Sequence, residues 1–213
     1  MKQAFHFLSL ALYAFLGLGL EVALIGLEPN IYGVPLSEWT KRESCFHWIL
    51  TCIVWGIMCF ILITIAKKKY KFDVFAKKLP INRISWIISI GIVCIGILGV
   101  SFMWNGFKPA KEFAAHGLIP FIFQYFYYLV EMVLVMLIIS FGQQFGELVS
   151  KKRWIPWGGI VLSCTWGLVH ILTQNMQTGI FTVILSLVFG VLYLLMKKNI
   201  VWAYLFIGCI FIL

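Results

Sequence analysis

The chain has 213 residues, 62% of them hydrophobic and only 12% charged, with a formal net charge of +9. Soluble domains carry about 45–50% apolar and about 25% charged residues, so a water-soluble chain of this size could not hide so much apolar surface in its own core. The basic excess does not indicate nucleic acid, because the cations lie in short segments between apolar runs, where they set membrane orientation.

Apolar runs of span length occur at 5–27, 46–66, 84–104 and 117–141, followed by shorter ones at 157–173, 179–196 and 199–213. A span needs about 17–25 apolar residues. The sequence therefore predicts an all-α, polytopic integral membrane bundle of about seven transmembrane helices, forming one domain over 1–213. The first run follows a single lysine, is too long for the apolar region of a signal peptide, and precedes no small-residue cleavage site. It is read as the first span.

With the N-terminus inside, the inner segments hold Lys2, the basic residues of loop 67–83, Lys151, Lys152, Arg153, Lys197 and Lys198. That makes 13 inner cations against 4 outer ones, Lys41, Arg42, Lys108 and Lys111. The positive-inside rule then predicts a cytoplasmic N-terminus and an external C-terminus, in the plasma membrane of a bacterium. The loop 67–83 also suits anionic headgroups. Cys45, Cys52 and Cys59 recur on one helix face. Seven helical residues span about 10 Å, beyond the reach of a disulfide at about 7 Å, so they are read as packing residues.

An ionisable side chain at the centre of a span costs roughly 2.5–3.5 kcal/mol or more and needs a reason to be there. The candidates are Glu21, Glu131 and His170, with Gln143, Gln144 and Glu147 near the inner end of the fourth run. Glu131 and His170 are related by the basic hairpin tip: one lies 19 residues before Ser150, the other 19 after Lys151. Equal separations along antiparallel helices put both at one depth, about 29 Å from the tip. A carboxylate and an imidazole at one level make a candidate acid–base pair or metal site. Gly142 and Gly146 form a Gly-x-x-x-Gly step that permits close helix approach.

The run Trp166-Gly167-Leu168-Val169-His170 resembles the Phe-x-x-x-His motif of the CAAX-protease and bacteriocin-processing family (CPBP, or Abi) of intramembrane metalloproteases. Glu131 stands where that family begins its Glu-Glu-x-x-x-Arg motif. Thr178 to Lys198, with Gly190 and Tyr193, then Asn199 to Trp202, is similar to the stretch before its third motif. The resemblance covers 125–213. It implies a glutamate that activates water and a metal held partly by His170. Three positions depart from it. Met132 replaces the second glutamate, Met136 replaces the arginine, and no His, Asp or Glu stands near Ile207 and Phe211, where the third motif belongs. A hydrolytic metal normally has three protein ligands, and Glu131 and His170 supply two. Glu21, His47 and His116 are the candidates for completing a shell.

The sequence thus predicts a degenerate, non-catalytic CPBP-like protein that binds peptides or partner proteins in immunity or regulation. The alternatives are an active metal-dependent endopeptidase using Glu131 and His170, and a small transporter whose polar path runs through Glu21, Glu131 and His170. No cofactor is expected, with zinc implied only for an active peptidase. The bilayer is the expected partner; nucleic acid is not. In a background without native cysteines, a Lys77→Cys label site should react with an impermeant thiol reagent only after permeabilisation. Labelling from outside would invert the topology.

Overall fold

The computed structural model describes residues 1–76 and 79–213; Lys77 and Lys78 of the basic loop lie outside the described residues. The described residues are helical with no strand. The order is α1 (Lys2–Tyr32), a 3-10 turn, α2 (Lys41–Tyr70), α3 (Arg83–Met103), α4 (Lys108–His116), α5 (Leu118–Ser150), α6 (Trp157–Leu162), a π-helical turn (Ser163–Gly167), α7 (Leu168–Thr173), α8 (Met176–Leu195) and α9 (Ile200–Ile212). Helix starts follow local chemistry. Asn82, Asn175 and Asn199 accept backbone N–H groups of the turns they open, and the Glu43 carboxylate accepts from the Thr40 N–H at 2.6 Å.

Five helices, α1, α2, α3, α5 and α8, are long and apolar enough to cross a membrane. The other two expected segments, Trp157–Thr173 and Ile200–Ile212, are apolar but shorter. α1 and α5 overrun the predicted segments at their polar ends, and α4 is a separate amphipathic helix that the sequence reading folded into a loop. Large apolar side chains on the outer faces, such as Phe60, Ile95 and Phe102, are 70–80% exposed. In a bilayer those faces meet acyl chains, and the architecture is that of a helical membrane bundle. All six cysteines are free.

α5 is the axis of the bundle. Leu134 through Phe141 are buried all round, none above 1% exposure, as expected of a helix apolar on every side. α1, α2, α6 and α9 surround it. The helices alternate in direction. His6 of α1 stacks on Tyr70 at the end of α2, Phe5 meets Phe145 of α5, and Trp86 at the start of α3 meets Trp202 of α9. Lys198 donates to Glu147 of α5 at 2.7 Å. Lys2, Lys67–Lys69, Arg83, Lys151–Arg153, Lys197 and Lys198 consequently gather at one end of the bundle, called here the basic end. At the other end Lys108 donates to the Phe211 carbonyl at 2.9 Å, so the two chain termini lie at opposite ends.

Small residues set the spacing near the basic end. A Cβ added to Gly158 would lie 2.2 Å from the Ile139 carbonyl oxygen of α5, and one on Gly190 would lie 2.6 Å from the Gly159 backbone. α5, α6 and α8 therefore touch backbone to backbone. Gly190→Ala should lower thermal stability in detergent by about 1–3 kcal/mol through overpacking. Gly91→Ala, inside α3 with nothing within 4 Å, should not lower the melting temperature and should raise it slightly through helix propensity.

Candidate functional site

Glu131 and His170 line one cavity of about 870 Å³ toward the end opposite the basic end, with walls from α1, α2, α3, α5, α7, α8 and α9 and Lys108 of α4. Their connection runs through Trp166. Its indole Nε1 donates to Glu131 Oε1 at 3.3 Å, and its carbonyl accepts from His170 Nδ1 at 2.6 Å. The indole and imidazole rings meet edge to face at 4.6 Å. Because a carbonyl can only accept, Nδ1 carries a proton, and in the neutral form of the ring Nε2 is the acceptor. Among the described residues no hydrogen bond or ion pair joins Glu131 to His170 directly. The hairpin spacing brought the two to one site, while the aromatic residue of the Trp-x-x-x-His run mediates between them.

The π turn at Ser163–Gly167 positions this group. Ser163 donates to the Val183 carbonyl of α8 at 2.9 Å, and Thr165 donates back to Val161 at 2.8 Å, so hydroxyls fasten the widened turn from both sides. Single π turns inside α-helices recur at functional sites. Nothing in the amino-acid pattern marked this one.

Glu21 lines the same cavity and leads away from it. Tyr127 donates to Glu21 Oε1 at 2.8 Å; on the far side His47 Nε2 lies 3.4 Å from the same oxygen, and His47 Nδ1 lies 2.6 Å from Glu28 Oε2. Tyr32 donates to the other Glu28 oxygen at 3.2 Å. Both ring nitrogens of His47 face carboxylates, the donor pattern of an imidazolium. Glu28 is 1% exposed and His47 5%. Sequence reasoning missed Glu28 because the first span appeared to end at Leu27. The signal was the seven-residue step from Glu21, two turns along one face of a helix.

Glu21, His47 and His116 were the candidates for completing a metal shell around His170; Glu21 lines the same cavity, where it accepts from Tyr127. His47 is instead held by Glu21 and Glu28, and the His116 ring packs against Trp48 at 6.3 Å. Among the described residues no three His, Cys, Asp or Glu side chains are grouped to hold a metal ion. The donor set at Glu131 and His170 does not fit a three-ligand zinc centre, and the chemistry these side chains themselves offer is hydrogen bonding and proton exchange. The remaining predicted polar residues lie elsewhere. Gln144 faces a separate cavity at the basic end, and Glu147 binds Lys198 with both oxygens, at 2.7 and 2.8 Å.

The third-motif positions of the resembled family bring no ligand here. Ile207 is fully buried in the apolar core, and Phe211 lines the cavity beside Trp166, at 5.8 Å. Met132 and Met136 are 0% and 1% exposed within the same core. The Lys108 ammonium sits 4.3 Å above the Tyr128 ring. On α4, outside the spans, burial holds this ammonium below its ordinary range, against the opposing pull of Glu112 and Glu131. Tyr128 donates to Glu112 at 2.7 Å, closing this side of the cavity.

No family model, curated protein or solved structure matches this chain.

Replacing His47 by Ala should destabilise the protein by about 3–5 kcal/mol, because it strands the buried Glu28 carboxylate. A Glu28→Gln/His47→Gln pair should recover most of that loss. Thermal melts of the purified variants in one detergent check both. Equal loss in the single and double variants would mean that packing rather than charge pairing holds α1 to α2.

Proposed function

We propose that this protein is a non-catalytic, CPBP-like membrane protein that binds an apolar peptide or partner segment in the Glu131–His170 cavity, acting in immunity or regulation. The observation that carries this reading is the cavity itself. At about 870 Å³ it lies in the range of ligand sites, roughly 300–1,000 Å³. Its wall is mainly apolar, with Glu21, Glu131 and His170 converging on it.

The non-catalytic part rests on Met132 and Met136. A charged group at either position would be buried in apolar protein without a counterion. The family part rests on Glu131, Trp166 and His170 meeting at one wall. The orientation rests on the 13-to-4 asymmetry of basic residues, with the basic end cytoplasmic in a bacterial plasma membrane.

The transporter reading draws on a different observation. Hydrogen-bonded titratable groups run from Glu28 through His47 to Glu21 at the cavity wall. Acidification of protein-bearing liposomes under a potential, abolished by His47→Gln, would favour it.

A fluorescent single-span peptide with a free amino terminus tests the binding reading in nanodiscs. It should bind, weaken roughly ten-fold with Glu131→Gln through loss of a charge-assisted bond, and be recovered intact by mass spectrometry. Discrete cleavage abolished by both Glu131→Gln and His170→Ala would establish the peptidase instead.

A further inference from the structure

At the basic end, far from the first cavity, a second one of about 690 Å³ opens between the α5–α6 turn and the end of α8. Arg153, Lys197 and Lys198 line it together with Trp154, Val191 and Leu194. Cations and apolar surface thus share one concave wall.

The charges do not cancel locally. Lys198 is held by both oxygens of Glu147, at 2.7 and 2.8 Å. Arg153 and Lys197 have no carboxylate partner among the described residues. The backbone adds a second observation. Lys197 and Lys198 have φ of 54° and 59°, and Lys151, at the α5 terminus, has 61°. Left-handed backbone favours glycine, which is free of Cβ strain there. Lysine at each of these turns sacrifices local stability for a cation at a helix C-terminus. Trp154 is 76% exposed beside them, in the manner of indoles that settle at headgroup depth.

We propose that this cavity seats one anionic phospholipid, with Arg153 and Lys197 on the headgroup phosphate and the acyl chains running along Val191 and Leu194. A soluble phosphate would use the cations and leave the apolar wall wet. A phospholipid matches both halves, and helix ends are where headgroups lie. The site is separate from the Glu131–His170 cavity, so its failure leaves that reading untouched.

Native mass spectrometry of the purified protein, titrated with phosphatidylglycerol or phosphatidylcholine in detergent, tests the proposal. One phosphatidylglycerol should remain bound at activation energies that strip phosphatidylcholine. An Arg153→Gln/Lys197→Asn variant should lose about thirty-fold in phosphatidylglycerol affinity, on the scale of about 1 kcal/mol per cation near an anionic surface. Asn tolerates left-handed backbone, so the turn survives, and an unchanged melting temperature checks this. Lys41→Gln/Arg42→Gln, at the opposite end, should bind as wild type. Unchanged affinity in the Arg153/Lys197 variant overturns the proposal. So does an equal loss in the Lys41/Arg42 variant, which would indicate bulk charge, or displacement of the lipid by excess inorganic phosphate, which would indicate a plain anion site.

Discussion

Water is absent from the interior of a bilayer, so an ionised side chain below the headgroups must find its counterpart on another helix. Here that requirement joins α1, α2 and α5 at one place. His47 of α2 lies between Glu21 and Glu28 of α1, and Tyr127 of α5 donates to Glu21. Sliding α1 against α2 by a turn would strand a carboxylate, and sliding α5 would take the Tyr127 hydroxyl from Glu21. The register of α1 and α2 on the central helix follows, and with it the position of Glu21 at the cavity wall.

The cavity itself results from a difference between the two ends of the bundle. Near the basic end Gly142, Gly146, Gly158, Gly159 and Gly190 let α5, α6 and α8 meet at backbone distance. At the other end α5 and the π turn carry Tyr127, Tyr128 and Trp166 instead of glycines, and these rings line the cavity together with Glu131 and His170.

The membrane architecture was legible because hydropathy reports directly on it. The apolar segments fall where the helices are, and the hairpin arithmetic around Ser150 and Lys151 brought Glu131 and His170 to a common site. Helix ends were less legible. α1 and α5 continue into polar residues that a hydropathy window discards, which concealed Glu28. α4 is short and amphipathic, and only its tertiary setting tells it from a loop. The mediating role of Trp166 was not legible, because it depends on a backbone widening that leaves no periodic trace. Where His47 lies was not legible either: it was one of three candidates for completing a shell around His170, and it sits between two carboxylates of the neighbouring helix, one of which the apolar run left out.

That widening at Ser163–Gly167 has a geometric consequence. Each residue advances an α-helix by about 100°, and a π turn absorbs one residue more than the regular winding would. The glycines before the turn fix the azimuth of α6 against α5 and α8. The extra residue resets the angular phase of everything after it. In a uniform helix His170 would be rotated by about a quarter-turn, away from the cavity and toward the neighbouring helix face or the lipid. The segment thus reconciles two demands that one straight helix could not meet, tight backbone packing at its start and an inward imidazole at its end. Winding the same residues as an uninterrupted α-helix would leave composition, hydropathy and span count unchanged while uncoupling the two.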